Sequence, residues 1–273
     1  MAWSTVFAAE PVEVVPAAVI TQSVDATATP STTDATTVAP VKIPPVIMET
    51  LKQLIKEDIN KITVAPAAIT GLYEVVIGSE IIYISADGRY LIVNGDMIET
   101  QTRENLTDNK RGEFRKKTLD TLNENEMVVF APKEGETKYT INVFTDVDCG
   151  YCKKFHSGID KLTAGGVKVR YLAFPRAGAG SKTYDKMVSV WCSEDRQKAM
   201  TDAKADLSVP ELKCDNSVQK EYELGQSIGV NGTPALLLSD GKLIPGYVPP
   251  EQLIALLRQR FSSSPAPAKI PKP

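Results

Sequence analysis

The chain has 273 residues, of which 42% are apolar and 24% are charged, and this length allows two modest domains that each bury a core. Its formal net charge of −3 provides no strong positive field, which argues against nucleic acid or an anionic membrane as a partner. No segment of the sequence is apolar over the length that a bilayer crossing requires.

Residues 1–44 are rich in Pro, Thr and Ala, a composition that cannot bury enough apolar surface to fold. We expect this segment to be a disordered tether. It supplies neither the basic start nor the apolar stretch of a secretory signal, although VFAAE would suit the end of a signal that has been trimmed. Residues 263–273 are expected to form a second disordered segment, the C-terminal tail.

Ordered structure is predicted to begin near residue 45, where apolar residues recur at helical spacing over the stretch that ends at residue 61. The β-rich runs that follow are punctuated by Gly78-Ser79 and Asp87-Gly88, which predicts a three-stranded antiparallel meander. We therefore expect residues 45–102 to form a small α+β domain. Such a domain is marginal alone, so dimerisation is a natural way to cover its open faces.

Residues 103–125 are strongly charged and carry few apolar positions, which predicts a solvated linker helix that Gly112 bends or interrupts. The pattern then changes to that of a mixed α/β sheet covered by helices. The predicted strands are MVVF, YTINVFT, VKVRYLAF, PALLLS and KLIPG, and the predicted helices are 151–164, 183–203, SVQKEYELGQSIGV and 250–261.

Cys149 and Cys152 form a Cys-x-x-Cys pair that follows a predicted strand and opens a predicted helix, which is the context of a redox motif. At a helix start, unpaired backbone N–H groups and the helix dipole stabilise a thiolate on Cys149. The thiol of Cys152, one turn further along, can attack a mixed disulfide and release the enzyme. Lys153 adds positive potential whereas Asp146 and Asp148 oppose it, so the sequence leaves the pKa of Cys149 open.

Other roles for this pair stay open at this point. A zinc site needs two further ligands, and the sequence offers only Cys192, Cys214 and the single histidine, His156. A purely structural Cys149–Cys152 bridge would close a ring too small to gain much loop entropy. His156 is either a polar neighbour of the thiols or a half-buried helix residue.

The four cysteines permit three disulfide pairings. If Cys149 pairs with Cys152, then Cys192 pairs with Cys214 and closes a loop of roughly 20 residues, worth about 3 kcal/mol. A persistent bridge of this kind needs an oxidising compartment, which in a bacterium is the periplasm.

A second chemical feature is the Thr233–Pro234 bond in GVNGTPALLLSDG, between a Gly-containing turn and an apolar strand. A cis-proline is plausible there, although an ordinary trans-proline at a strand start is the commoner arrangement. A cis bond would turn nearby main-chain groups toward an extended substrate.

Several motifs, taken in order along the chain, closely resemble the DsbC family of periplasmic thiol:disulfide isomerases of Gram-negative bacteria. They are VFTDVDCGYCKKFH, VKVRYLAFPRAG, VWC and SIGVNGTPALLLSDGKLIPGYVPP, preceded by GLYEVV and YISADGRYLI. The resemblance runs from about residue 46 to residue 262, and residues 1–44 are not part of it. It implies an α+β fold in which a linker helix joins a cystatin-like dimerisation domain to a thioredoxin-like catalytic domain, residues 126–262, with a helical insertion.

The same resemblance implies the site residues. Cys149 is expected to be an exposed nucleophile and Cys152 a buried resolving thiol, and Cys192 and Cys214 are expected to form a structural bridge in the insertion. The implied substrate-binding positions flank the pair and occupy the Thr-Pro loop, with the Thr-Pro bond in the cis form: Gly150, Tyr151, Thr233 and Pro234.

The implied function is that of a homodimeric protein disulfide isomerase or reductase with chaperone activity, without a metal or cofactor. Its expected partners are misfolded disulfide-containing proteins and a DsbD-type membrane reductase that keeps the pair reduced. Gly150-Tyr151 lacks the extra histidine of the Pro-His oxidases, so a potential near about −180 mV rather than about −120 mV is expected. The alternatives are a DsbG-like reductase of sulfenylated cysteines, a holdase with incidental thiols, and a net oxidase.

Overall fold

The computed structural model describes residues 42–56, 58–133 and 135–261 of the chain. The tether predicted over residues 1–44 falls almost entirely outside the described residues, and the tail predicted over 263–273 falls wholly outside them. All described residues belong to one compact unit.

The first helix, α1 (Pro45–Leu54), begins where the sequence predicts. Pro45 occupies the first turn, where the missing N–H of proline costs no hydrogen bond. The helix ends earlier than the periodicity suggests, because Ile55 is extended and a separate short turn, Ile59–Lys61, is capped by the Asp58 side chain. Apolar residues beyond Leu54 still pack on the same core, which explains why the helical pattern continues past the end of the helix.

An antiparallel sheet follows, with the strands in sequential order. Its members are β1 (Ile62–Pro66), β2 (Leu72–Ile77), β3 (Glu80–Ser85) and β4 (Leu91–Ile92). The predicted meander corresponds to β2, β3 and β4. β1 is absent from the prediction, because it is an edge strand that ends in a proline and proline within a run is a signal against a strand. Ile47 and Leu51 of α1 pack on one face of this sheet.

The linker forms a single helix, α2 (Leu106–Leu119), which begins at an N-cap where the Asn105 side chain accepts a hydrogen bond from the N–H of Asp108. Gly112 does not interrupt this helix, contrary to one of the two predictions for it. Gly112 instead lies against Gly241. A Cβ atom added at position 241 would come within 2.0 Å of the Gly112 carbonyl oxygen. The expectation of a solvated helix is wrong for one face, since the side chain of Arg115 is buried.

The second sheet has five strands in the order β5–β7–β6–β8–β9, and only the β6–β7 pair is parallel. The strands are β5 (Val128–Phe130), β6 (Tyr139–Thr145), β7 (Val167–Ala173), β8 (Ala235–Leu238) and β9 (Leu243–Pro245). The helices that cover it are α3 (Gly150–His156), α4 (Ile159–Ala164), α5 (Lys182–Trp191), α6 (Arg196–Lys204), α7 (Val218–Ser227) and α8 (Pro250–Phe261).

Two predicted helices are each divided in the structure. The helix predicted over 151–164 breaks at Gly158, where a Cβ atom would lie 2.4 Å from the ring of Pro250. The helix predicted over 183–203 breaks after Trp191, and Asp195 then caps a new helix by accepting a hydrogen bond from the N–H of Lys198. In both cases the apolar periodicity continues across the break and hides it.

The sheet register determines where the two chemical motifs meet. Phe144, one residue before the end of β6, pairs with Ala235 at the start of β8. The chain leaving β6 therefore reaches Cys149 beside the residues that enter β8, which are Thr233 and Pro234. Apolar side chains pack on both faces of the sheet in two separate clusters, so this edge stands on a rigid support.

Candidate active site

The two cysteines of the pair lie at the beginning of α3, and both are free thiols. Cys149 is the N-cap residue, with an extended backbone, and its carbonyl accepts the first helical hydrogen bond from the N–H of Lys153. The expectation that Cys149 is exposed is wrong: only 3% of its surface is accessible, against 0% for Cys152. The reason is that its thiol turns toward the Thr-Pro loop instead of toward solvent.

The Thr233–Pro234 peptide bond is cis, and its loop faces the cysteine pair. The thiol of Cys149 donates a hydrogen bond to the carbonyl oxygen of Thr233 at 3.3 Å, between residues 84 positions apart in sequence. The hydroxyl oxygen of Thr233 is also buried and has no hydrogen-bond partner among the described residues. A buried hydroxyl without a partner is unusual, and here it is available to donate to a sulfur anion.

The pKa of the Cys149 thiol is lowered from its ordinary value. Burial opposes ionisation. Hydrogen bonds that the sulfur anion would accept from the Thr233 hydroxyl and from Cys152, together with the positive charge of Arg176, outweigh it. The helix N-terminus acts in the same direction, since Cys149 caps α3.

The pKa of the Cys152 thiol is raised, chiefly because burial disfavours a charged sulfur. The positive charge of Lys204 and hydrogen bonding with Thr233, Asp146 and Thr145 only partly offset that burial. The two thiols are therefore shifted in opposite directions, and Cys149 is the one that ionises first.

The two acidic residues expected to oppose a thiolate are each paired with a cation. The Asp146 carboxylate accepts hydrogen bonds from the Nε atom and the backbone N–H of Arg176, at 3.0 and 2.9 Å. The Asp148 carboxylate accepts from the Nζ atom of Lys186 at 2.8 Å. Lys153 is engaged elsewhere, in an ion pair with Asp206. Arg176, which the sequence reasoning did not identify, thus both neutralises Asp146 and brings a positive charge close to Cys149.

Lys204 is a second residue that the sequence reasoning missed. It is the last residue of α6, and it is 5% exposed. Its Nζ atom donates to the Thr145 hydroxyl at 2.6 Å and to the Asp146 carbonyl at 2.9 Å. The sequence feature that could have identified Lys204 is its position one helical turn after Met200, which places it on the buried face of α6.

The two positions between the cysteines differ in character. Gly150 faces open space, with no atom near the position of a Cβ. Tyr151 is 64% exposed, and its ring stacks on that of Tyr247 at a centroid distance of 6.4 Å. The Nζ atom of Lys154 lies 4.9 Å from the Tyr247 ring centroid. An aromatic surface therefore borders the cysteine pair, and side chains of this kind contribute strongly to contacts with other polypeptides.

His156 is buried between two hydroxyl groups and does not contact the thiols directly. Its Nδ1 atom lies 3.0 Å from the Tyr171 hydroxyl and its Nε2 atom lies 3.1 Å from the Thr201 hydroxyl. Burial, followed by the charge of Lys204, lowers the pKa of His156 to about 4, so the ring is neutral at physiological pH. The structure therefore favours a packed helix residue, more deeply buried than expected.

The remaining cysteines, Cys192 and Cys214, are joined by a disulfide with a sequence separation of 22. The bridge connects the end of α5 to the segment that leads into α7, and α6 lies within the loop it closes. Next to it, the buried Trp191 donates its indole N–H to the carboxylate of Glu221 at 3.3 Å.

The described part of the chain offers neither a metal-binding cluster nor a membrane-spanning helix. No cluster of three or more His, Cys, Asp or Glu side chains is placed to hold a metal ion there. No helix within the same residues has both the length and the apolar character that crossing a membrane requires.

Two family models match the chain, namely "Disulfide bond isomerase protein N-terminal domain" over residues 24–108 and "Thioredoxin-like domain" over residues 125–261. The second match confirms the predicted thioredoxin-like domain within an α+β fold. The first begins at residue 24, so the family resemblance extends further toward the N-terminus than the expected start near residue 46.

Curated relatives agree with these matches. The thiol:disulfide interchange protein DsbC of Escherichia coli (strain K12) is 40% identical over 201 residues, which cover 73% of this chain and 82% of that protein. The corresponding protein of Salmonella typhimurium is 36% identical over 76% of this chain and 84% of its own length. A crystal structure of a disulfide interchange protein from Neisseria gonorrhoeae matches 50% of this chain and 97% of its own, with a TM-score of 0.46 and 32% identity. By its sequence relatives and its two matched domains, the chain belongs to the DsbC family of thiol:disulfide interchange proteins.

Proposed function

We propose that Cys149 is the attacking thiolate and Cys152 the resolving thiol of a protein disulfide isomerase and reductase. The observation that carries this proposal is the opposite displacement of the two thiol pKa values, lowered at Cys149 and raised at Cys152. A thiolate attacks and a thiol does not, so only the first cysteine starts the reaction near neutral pH.

In the first step the Cys149 thiolate attacks one sulfur of a substrate disulfide. A Cys149–substrate bond forms, the substrate disulfide breaks, and the electron pair leaves on the second substrate sulfur. Another substrate thiolate can then attack the mixed disulfide, which restores the Cys149 thiolate and leaves a rearranged substrate. Alternatively the Cys152 thiolate attacks Cys149, which releases a reduced substrate and oxidises the pair.

Gly150, Tyr151, Thr233 and Pro234 are proposed to bind the substrate around this sulfur. The open space at Gly150 and the exposed ring of Tyr151 support a contact surface on one side. A groove of about 450 Å³ also lies against the loop that holds Thr233; Gly232, Thr233 and Gly246 line it together with Asp108 and Arg115 of α2, whereas neither cysteine does. Ionisation of Cys149 removes its hydrogen bond to the Thr233 carbonyl, which leaves that oxygen free to accept from an extended chain.

We propose that the chain forms a homodimer through residues 45–102, with residues 103–125 as the linker and 126–262 as the catalytic domain. β4 is only two residues long and forms an open edge of the first sheet, and it is surrounded by exposed large apolar side chains. These side chains are Tyr90, Leu91, Ile92, Val93 and Ile98. A dimer that leaves apolar surface around two active sites would also hold unfolded chains, which accounts for the proposed chaperone activity.

A Gram-negative periplasm is the proposed location, and a DsbD-type membrane reductase is the proposed electron donor. The Cys192–Cys214 bridge needs an oxidising compartment to persist. The same compartment would oxidise the free Cys149–Cys152 pair, so an isomerase there needs a dedicated source of electrons.

Refolding of a scrambled protein with several disulfides, followed by recovery of its native activity, tests this proposal. We expect the Cys149→Ala variant to lose all catalysis, whereas Cys152→Ala retains slow isomerisation through Cys149 alone. Full activity of Cys149→Ala would contradict the proposed role. Absence of isomerase activity in the native chain, with prevention of aggregation unchanged when both Cys149 and Cys152 are replaced by alanine, would instead indicate a holdase. Preferential reduction of a sulfenylated substrate would indicate a DsbG-like reductase.

A further inference from the structure

Lys204 is a buried lysine that has no role in the reaction steps proposed above for Cys149 and Cys152. α6 delivers it to the end of β6, where two of its ammonium protons are donated to Thr145 and to the carbonyl of Asp146. The Nζ atom also lies 5.9 Å from the centroid of the Tyr171 ring, within the range of a cation–π contact. Contacts with the end of β6 and with β7 therefore fix the position of the Lys204 ammonium group.

Lys204 is buried, with only 5% of its surface exposed. Even so, no carboxylate of the described residues lies within ion-pair distance of its ammonium. The carboxylate of Asp146, whose backbone carbonyl accepts a hydrogen bond from Lys204, pairs with Arg176 instead. A buried ammonium normally requires a compensating negative charge, because removal from water is costly. Neutral hydrogen-bond acceptors and an aromatic face leave this requirement partly unmet, so an anion that forms during the reaction would find a positive charge already in position.

We propose that Lys204 is a positioning residue for the resolving step, whose ammonium stabilises the thiolate of Cys152 and so promotes attack on the mixed disulfide. The inference rests on the proposed roles of Cys149 and Cys152. α3 packs against α6, which places the two groups in neighbouring elements. No hydrogen bond joins the ammonium to the Cys152 sulfur among the described residues, so Lys204 acts through its charge.

The step balances without an outside reagent. Cys152 first loses its proton to water, and its thiolate then attacks the Cys149 sulfur. A Cys149–Cys152 bond forms, the Cys149–substrate bond breaks, and the electron pair leaves on the substrate sulfur, which is protonated by water. The pair is oxidised and the substrate is reduced by two electrons. Isomerisation by a substrate thiolate bypasses Cys152, so Lys204 biases the outcome toward reduction and release.

The charged and titratable groups that face Lys204 come from α3, β7 and the end of β6. They are Cys149, Cys152, Lys153, His156, Tyr171 and Asp146. Burial, only partly offset by the charges of Cys152, Asp146 and Cys149, lowers the pKa of Lys204 to about 8. Lys204 therefore carries its charge through neutral pH and loses it above about pH 8, whereas His156 is already neutral above about pH 4. The assistance to Cys152 is expected to fade above pH 8.

The first experiment measures the ionisation of Cys152 alone, in a Cys149→Ala background, from thiolate absorbance against pH. Lys204→Met removes the charge and keeps an unbranched side chain, and Lys198→Met makes the same change on the exposed side of α6. We expect Lys204→Met to lower the thiolate fraction at neutral pH about ten-fold, which is one pKa unit. Lys198→Met is expected to leave it unchanged, and Lys204→Arg is expected to restore most of it.

The second experiment follows the decay of a preformed Cys149–glutathione mixed disulfide in the otherwise native chain. Lys204→Met should slow the internal attack by Cys152 about ten-fold, while the second-order rate of Cys149 with oxidised glutathione changes less than about two-fold. Equal slowing of both rates, or an unchanged Cys152 titration in a folded variant, would overturn the inference. Failure of the native chain itself to form the Cys149 adduct would instead contradict the proposed function.

Discussion

The thiol of Cys149 and the carbonyl oxygen of Thr233 are joined by a hydrogen bond of 3.3 Å that connects α3 to the start of β8. This contact holds the sulfur against the Thr-Pro loop in the resting state. When the proton leaves, the thiol can no longer donate, and the buried hydroxyl of the same threonine becomes the nearest unused donor. Thr233 is therefore placed to respond to the ionisation state of Cys149 in both directions.

Substitution of Thr233 by valine should raise the pKa of Cys149. Valine has nearly the shape of threonine but lacks the hydroxyl that hydrogen-bonds the sulfur anion, and hydrogen bonding to Thr233 is the largest influence that lowers this pKa. We expect the pH midpoint for alkylation of Cys149 by iodoacetamide, measured with Cys152 replaced by alanine, to rise by roughly one unit.

The matched control is Thr163→Val on α4, where the hydroxyl donates within its own helix to the carbonyl of Asp160. That variant should reproduce the native alkylation profile. An unchanged midpoint in Thr233→Val would show that the threonine hydroxyl does not stabilise the thiolate.

The stability of the catalytic domain should fall as pH rises from about 4.5 to 7, because of Glu221. This carboxyl is buried, and burial raises its pKa from 4.5 to about 7, although hydrogen bonds from Ala173, Ser217 and Trp191 partly oppose the shift. The folded state therefore holds a proton that the unfolded state has already lost over this range, so the free energy of unfolding decreases by roughly 3 kcal/mol.

Urea unfolding at a series of pH values measures this slope, with Trp191 as the fluorescence reporter of the site. Glu221→Gln should flatten the curve between pH 4.5 and 7. Glu223→Gln, on the exposed face of the same helix, serves as the control. A curve for Glu221→Gln as steep as that of the native chain would rule out this carboxyl as the origin.

Removal of the Cys192–Cys214 bridge should lower stability without removing exchange chemistry. The bridge closes a loop with a sequence separation of 22, which corresponds to roughly 3 kcal/mol in the chain-entropy model. We expect urea unfolding of the double variant Cys192→Ala, Cys214→Ala to show a free energy of unfolding that is lower by about 3 kcal/mol. It should retain attack by Cys149 on oxidised glutathione at the native rate, and complete loss of that reaction would mean that the insertion takes part directly.

Local patterns account for most of the fold that could be predicted. β6 and β7 are apolar runs rich in β-branched residues, and α8 has a clear helical stripe, so each was placed within a residue or two. Breaks without a change in periodicity were missed, as at Gly158, which the approach of Pro250 from α8 requires. β1 was missed because its proline sits where an edge strand tolerates it.

The candidate site was predictable where it depends on a motif and unpredictable where it depends on distant contacts. Cys149 and Cys152 stand out by their spacing, and the Thr-Pro loop stands out by the family resemblance. The burial of Cys149 could not be predicted, since it depends on a loop 84 residues away. Arg176 lies within VKVRYLAFPRAG, but nothing in that motif connects it to the thiols, and Lys204 lies outside every quoted motif. Only the folded chain brings their charges to the thiols.

Mass spectrometry of a complex trapped between the Cys152→Ser variant and a reducible protein substrate tests most directly whether Cys149 is the attacking thiolate. Without the resolving thiol, the first covalent intermediate should accumulate. We expect one disulfide between the substrate and Cys149, formed at neutral pH and absent from the Cys149→Ser variant. Accumulation of no complex, or a substrate attached through any other cysteine of the chain, would contradict it.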